Sequence, residues 1–298
     1  MSWLFFAVFA PAIYSVVNFV DKYILSRYIK DYRGISMYSA VMATIFGTLF
    51  WLFSSMPKLS LHDAFLIIFS GMLTFWAMVV YFKALSFEET SKIIILFQMG
   101  PILVLVLSLL FLKEVISLRQ FLGFTLILLS SVGVSLENPF TGFRLSKSFF
   151  LIMINQAMWS VGAVLFKFVV DQNSFVKVVS YESWGIALGG LILFLFFKNI
   201  REPFLDTFKT VKKKAIFFIF VNEGIFVIAR LLTFLAVSLG PLALVSVIGS
   251  TSVFFGVIFG TVLTILLPNV FREDLSKSGL IKKFSFAALA FMGIYFIY

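Results

Sequence analysis

Apolar runs of about 20 residues, separated by short polar stretches, recur along the whole 298-residue chain. About 20 apolar residues cross a bilayer as one helix. That template places ten helices, at residues 3–25, 34–53, 64–85, 93–112, 118–136, 149–170, 176–197, 215–239, 242–267 and 284–298. Pro57, Asn138-Pro139, Arg201-Glu202-Pro203 and Pro268-Asn269 mark the loops between them. The runs are continuous and do not alternate, so the pattern predicts an all-α integral membrane bundle and excludes a transmembrane barrel.

The eighth segment departs from this pattern. It carries Glu223 and Arg230 where a membrane helix is expected to carry no charge. Residues seven apart return to nearly the same side of a helix, so the two charges share one stripe with Val227 between them. They stand roughly 10 Å apart along the axis, too far for a simple direct pair. A charge at mid-membrane costs about 2.5–3.5 kcal/mol on insertion scales, so each must face a partner or a cavity.

Composition agrees with the pattern. The chain is 61% hydrophobic and 13% charged, with mean hydropathy +1.07, whereas soluble domains are about one-quarter charged. The net charge of +10 sits in short loops, so it reads as topology signal and lipid-headgroup anchor, with no nucleic-acid partner implied. Most Lys and Arg fall in the odd-numbered loops; the even ones hold Lys58, Lys113, Arg119 and Lys177. The positive-inside rule then puts the odd loops in the cytoplasm and both termini outside, with the cell membrane as location. There is no cysteine, hence no disulfide framework, and the first segment reads as a retained helix rather than a cleaved signal.

The chain also repeats itself. Ala12-Ile-Tyr-Ser-Val-Val-Asn-Phe-Val-Asp-Lys22 aligns with Ala157-Met-Trp-Ser-Val-Gly-Ala-Val-Leu-Phe-Lys167, and Phe82-Lys-Ala-Leu-Ser86 with Phe234-Leu-Ala-Val-Ser238. This divides the chain into residues 1–138 and 139–298. Five helices per copy is an odd number, so the second copy enters the membrane from the opposite side, as an inverted repeat. Four-residue spacing of Ser252, Gly256, Gly260 and Thr264, and of Gly185 and Gly189, predicts close helix packing.

Lys113-Glu114-Val-Ile-Ser-Leu-Arg-Gln120-Phe-Leu-Gly123, continuing to Gly133, resembles the segment that closes an EamA-type repeat of the drug/metabolite transporter superfamily. Gln98-Met-Gly-Pro101 is similar to that family's proline-containing fourth helix. Val253 replaces the proline in the second half, and the loop around Phe271-Arg-Glu-Asp274 is longer than its counterpart. The resemblance implies a ten-helix secondary transporter of small metabolites with termini inside, opposite to the charge count.

Candidate chemistry follows from the polar residues inside the spans. Arg230 either clamps a carboxylate or phosphate through its bidentate fork or locks two helices by pairing with Glu182 of the seventh segment. Glu223 or Glu182 either meets an amine or cycles a proton, so proton or ion coupling enters with them. Asn18 of the first segment and Asn155 and Gln156 of the sixth read hydroxyls or amides, or bond between helices. Tyr14 and Trp159 stack on a flat or cationic group, and Gln98 is a further cavity candidate. Lys22 and Lys167 snorkel to the interface, and Asp21 pairs there with Lys22. The lone His62 beside Asp63 offers no metal set and no catalytic set, so no cofactor, metal or enzyme activity is expected.

The sequence thus predicts a transporter, monomeric or homodimeric, moving an amino-acid-like or organic-anion solute across the bilayer. Export or flipping of a lipid-linked substrate is the alternative within transport. A membrane enzyme or a non-transporting protein is the alternative of another kind.

Overall fold

The structure, a computed structural model, describes residues 3–27, 31–85, 96–135, 147–210, 213–266 and 277–298. All regular structure among these residues is helical. α1 (Trp3–Arg27), α2 (Tyr32–Phe53) and α3 (Leu61–Leu85) are followed by α4 (Met99–Leu107), α5 (Leu118–Ser135), α6 (Lys147–Val170) and α7 (Phe175–Phe196). The rest are α8 (Lys198–Thr210), α9 (Lys213–Leu239), α10 (Leu242–Gly249), α11 (Ser252–Leu266) and α12 (Lys277–Ile297). Seven stretches are long and apolar enough to cross a membrane, and Met99–Leu112 and Leu118–Gly133 are shorter apolar helices. The expected start of the fourth helix at 93–95, the Asn138-Pro139 and Pro268-Asn269 loops and the Phe271–Asp274 stretch lie outside the described residues.

Three expectations are corrected. The ninth segment is not one helix: it breaks at Ser250 and Thr251 into α10 and α11. Both hydroxyls turn back onto their own chain, Ser250 Oγ to Val247 O and Thr251 Oγ1 to Ile248 O, each at 2.6 Å, and such back-bonding competes with the helical ladder. The stretch expected as a loop around Arg201-Glu202-Pro203 forms α8. Its Ile200, Phe204 and Thr207 share one buried face, and Tyr38 of α2 meets Phe204 edge-on at 5.2 Å. The last helix starts at Lys277 and takes in Lys282 and Lys283, seven residues earlier than expected.

Close helix crossings rest on glycine. A Cβ on Gly71 of α3 would lie 2.1 Å from the Glu182 carbonyl, and one on Gly185 of α7 would lie 2.2 Å from the Ile68 carbonyl. Gly71 and Gly185 therefore let α3 and α7 touch backbone to backbone. Gly123 of α5 and Gly293 of α12 do the same for each other's helices. Gly185 and Gly189 pack as expected, but Gly256 has nothing within 4 Å of its Cβ position, so the expected stripe on α11 is not a tight contact there.

The main packing partners are α1 with α9, α2 with α7, α3 with α6 and α7, and α5 with α12. Nearly every extensive contact thus joins the first half of the chain to the second. Both termini lie at one end, where the Trp3 ring packs on Gly240 and Arg119 donates to Tyr295 O at 3.2 Å. At that end Ser108–Leu112 continues α4 as a π-helical turn, and Lys113 closes it in the left-handed region at φ 53°, uncommon for a residue with a Cβ. The chain reverses there, and the Glu114 carboxylate accepts from the backbone N–H groups of Leu242 (2.6 Å) and Ala243 (3.2 Å). A carboxylate from the first half thereby caps the positive end of α10 in the second.

Candidate functional site

Helical periodicity separates a lipid side from an interior side on the helices that carry polar residues. On α9, Phe217, Val221, Ile228 and Leu239 are exposed and lie on one face. Glu223, Val227, Arg230 and Phe234 lie on the opposite face, turned into the bundle. On α1 the exposed Phe5, Phe9 and Val16 oppose Tyr14, Asn18 and Asp21. Asn18 is exposed, yet it sits on the inward stripe rather than the apolar one.

Arg230 is 5% exposed and Glu182 fully buried. The guanidinium Nη2 forms an ion pair with Glu182 Oε2 and donates to Ser183 Oγ at 3.1 Å. Phe234, one turn on, lies under the guanidinium with its centroid 5.2 Å away, and Phe166 of α6 stacks on Phe234 at 3.9 Å. Both polar bonds leave from one nitrogen. The Nη1 and Nε edge makes none among the described residues, and Tyr14, which is hydrogen-bonded to Thr233, lies within electrostatic range of the Arg230–Glu182 pair. Tyr14 itself meets Phe226 edge-on at 5.6 Å.

Glu223 is held apart from this pair. Its Oε2 accepts from Ser39 Oγ of α2 at 2.7 Å. The adjacent Asn222 donates through Nδ2 to Asp21 Oδ1 at 2.7 Å, while its own Oδ1, fully buried, has no partner. Asp21 thus turns toward α9, because α1 packs along α9 and brings Asp21 to Asn222; the side chain of Lys22, its expected partner and an expected interfacial lysine, lies outside the described residues. Asp21 and Glu223 lie close enough to repel each other, with Arg230 near enough to temper Glu223.

The remaining candidates sit on and beside α6. Asn155 donates to Ala77 O of α3 at 2.7 Å and accepts from Gln156 Nε2 at 2.8 Å, so it ties two helices. The Gln156 carbonyl packs on Gly100 of α4, where a Cβ would come within 2.1 Å. Gln98 is buried at the turn that precedes α4, and Trp159 is half-buried on the same face as Asn155. Lys167 pairs with Asp171 at 2.7 Å at the end of α6, as an interfacial lysine does. His62 is exposed beside Asp63.

The structure therefore joins Arg230, Glu182 and Tyr14 in one cluster and separates Glu223 into a second with Asp21, Asn222 and Ser39. Asn155, Gln156 and Gln98 form a third group near α4. Ser183, Ser39 and Asn222 are absent from the sequence-based candidates: serine in an apolar run carries no periodic signal, and Asn222 is overshadowed by the charge beside it.

Residues 1–136 match the model of the EamA-like transporter family. The first half of this chain is thus similar to that family. No curated protein sequence matches the chain. Solved structures do: 27 chains match, and one crystal structure of a protein aligns over 99% of this chain and 97% of its own length, at TM-score 0.70 and 14% identity. At that identity the likeness establishes the fold. The match spans the first half of the chain, and seven stretches among the described residues of the whole chain are long and apolar enough to cross a membrane.

Proposed function

We propose that the chain is a secondary transporter that moves a small polar solute, amino-acid-like or organic-anionic, by alternating access. The observation that carries this reading is the inward stripe of α9. Arg230 keeps one edge of its fork unbonded beside Tyr14, in a helix whose other face meets lipid. In this reading the open edge receives a carboxylate or phosphate, Phe234 and Tyr14 shape the walls, and Glu223 meets an amine of the solute or a coupling ion. Asn18, Asn155, Gln156, Trp159 and Gln98 line the remaining approach.

The same proposal includes ten membrane helices in two inverted five-helix halves, 1–138 and 139–298. α10 and α11 together form one broken helix in this count, and α8 lies outside the membrane. The pairing supports it: α1 meets α9 as α6 meets α3, while α2–α7 and α5–α12 each pair with their own counterpart, the pattern a two-fold axis in the membrane plane produces. By the charge count both termini face outward.

The test is uptake of amino-acid and organic-anion panels by the purified chain in liposomes, with Arg230→Lys and Arg230→Ala alongside. Transport by the wild type, and its loss in a folded Arg230→Lys protein, fits a bidentate anion clamp. Wild-type flux no faster than in empty vesicles overturns the transport reading, and full activity in Arg230→Ala overturns the role of Arg230.

A further inference from the structure

We propose that Asp21 and Glu223, joined by Asn222, form a binding site for a monovalent cation, either a proton or a sodium ion. This deepens the transport reading and rests on it for the cation's role in coupling, though not for its binding.

Three observations on geometry carry the site. First, Asp21 of α1 is bonded to Asn222 of α9 and Glu223 is the next residue on α9, so carboxylates from two helices come to neighbouring positions inside the bundle. Second, each has one oxygen already engaged, Asp21 Oδ1 by Asn222 and Glu223 Oε2 by Ser39, and neither pairs with a basic side chain among the described residues. Third, Asn222 is 3% exposed, and its carbonyl oxygen has no partner although its amide end is fixed on Asp21. A buried acceptor left unpaired costs about 1–3 kcal/mol, and this one belongs to a side chain already bonded to a carboxylate.

The charges around the site set the sign of the ligand. Arg230 on α9 is the cation that tempers Glu223, and it is committed to Glu182 of α7. Ser39 reaches in from α2, and the phenols of Tyr81 of α3 and Tyr14 of α1 lie within electrostatic range of Asp21 and Arg230 respectively. The oxygen set is that of a hard monovalent ion or a shared proton: two carboxylates, an amide carbonyl and a hydroxyl. No group of three or more His, Cys, Asp or Glu gathers among the described residues, so a divalent metal lacks the usual ligands. A bound proton goes onto a carboxylate oxygen from one aqueous phase and leaves to the other when the bundle reopens.

Thermal unfolding of the purified full-length protein tests the site without needing the transported solute. In the sodium arm, NaCl is raised against N-methylglucamine chloride at constant ionic strength. In the proton arm, pH is varied from 5 to 9 without sodium. A sodium site gives a melting temperature that climbs by about 3 °C or more per tenfold NaCl above half-saturation. A proton site gives a protein that melts at progressively lower temperature as pH rises. In either case Asp21→Asn/Glu223→Gln flattens the response.

A wild type indifferent to both sodium and pH overturns the proposal, whether or not the variant folds. So does a double variant that keeps the wild-type response; should the double variant fail to fold, Glu223→Gln alone takes its place. Cation binding by a protein that moves no solute in liposomes leaves the site standing and removes the transport reading instead.

Discussion

Two charged clusters face the interior of the bundle along α9, and they balance their charge in opposite ways. Around Arg230, a guanidinium and a carboxylate neutralise each other, with a serine and an aromatic face completing the shell. Around Glu223, two carboxylates meet with only neutral donors between them. The first cluster is balanced in charge, although Glu182 Oε1 is buried without a hydrogen-bond partner, and the guanidinium has one open edge to spare. The second is complete only when something positive enters. A charged residue in a membrane helix is therefore a poor guide to function by itself; the partner supplied by the fold decides whether it holds the bundle together or waits for a ligand.

The largest expected effect comes from breaking the lock. Arg230→Ala strands the buried Glu182 carboxylate and is expected to cost about 3–5 kcal/mol, read as a fall in melting temperature. Arg230→Met with Glu182→Gln removes both charges, and its melting temperature is expected to recover most of that loss while solute transport stays absent. Recovery of transport in the double variant would reduce the first cluster to packing alone.

Next is the crossing that positions Glu182. Gly71→Ala drives a methyl into the Glu182 carbonyl, and the expected loss is about 1–3 kcal/mol, with transport falling as α7 is displaced from α9. Glu114→Gln removes the charge from the α10 cap and is expected to cost about 0.5–2 kcal/mol, without touching either cluster. The smallest effect belongs to the second cluster: Ser39→Ala deletes one hydrogen bond to Glu223, about 1 kcal/mol. Its signature is a changed cation response rather than a changed fold. A Ser39→Ala protein that loses stability as steeply as Arg230→Ala would erase the distinction between the two regions.

Much of this is legible in the amino-acid sequence alone. Continuous apolar runs fix a helical membrane bundle, and the seven-residue spacing of Glu223 and Arg230 puts both on the inward face of α9. The pairing of Arg230 with Glu182 is readable as one of two options, because a buried guanidinium must find an anion. The bond from Asn222 to Asp21 is not readable from the sequence, since it depends on α1 lying along α9. The break at Ser250 and Thr251 is hidden for another reason. Both residues sit in an apolar run as if they belonged to one continuous helix, and their bonds back to the preceding turn are of a kind that Ser130 also makes inside the unbroken α5. Glu114 is visible as a motif residue, but its capping of α10 depends on a contact between segments 128 residues apart.

The break and the cap together change what α10 belongs to. It is joined by the chain to α9 and α11, yet at its start it is held by Glu114, and at its end Ser250 meets Ser131 of α5 at 3.2 Å. Ser15 of α1 holds the first turn of α11 through Ser252 O at 2.6 Å, and α10 packs mainly on α4, α1 and α5. Severed at Ser250 and Thr251, this eight-residue piece is fastened at both ends to the first half of the molecule, so a helix that the second half encodes is built into the packing of the first.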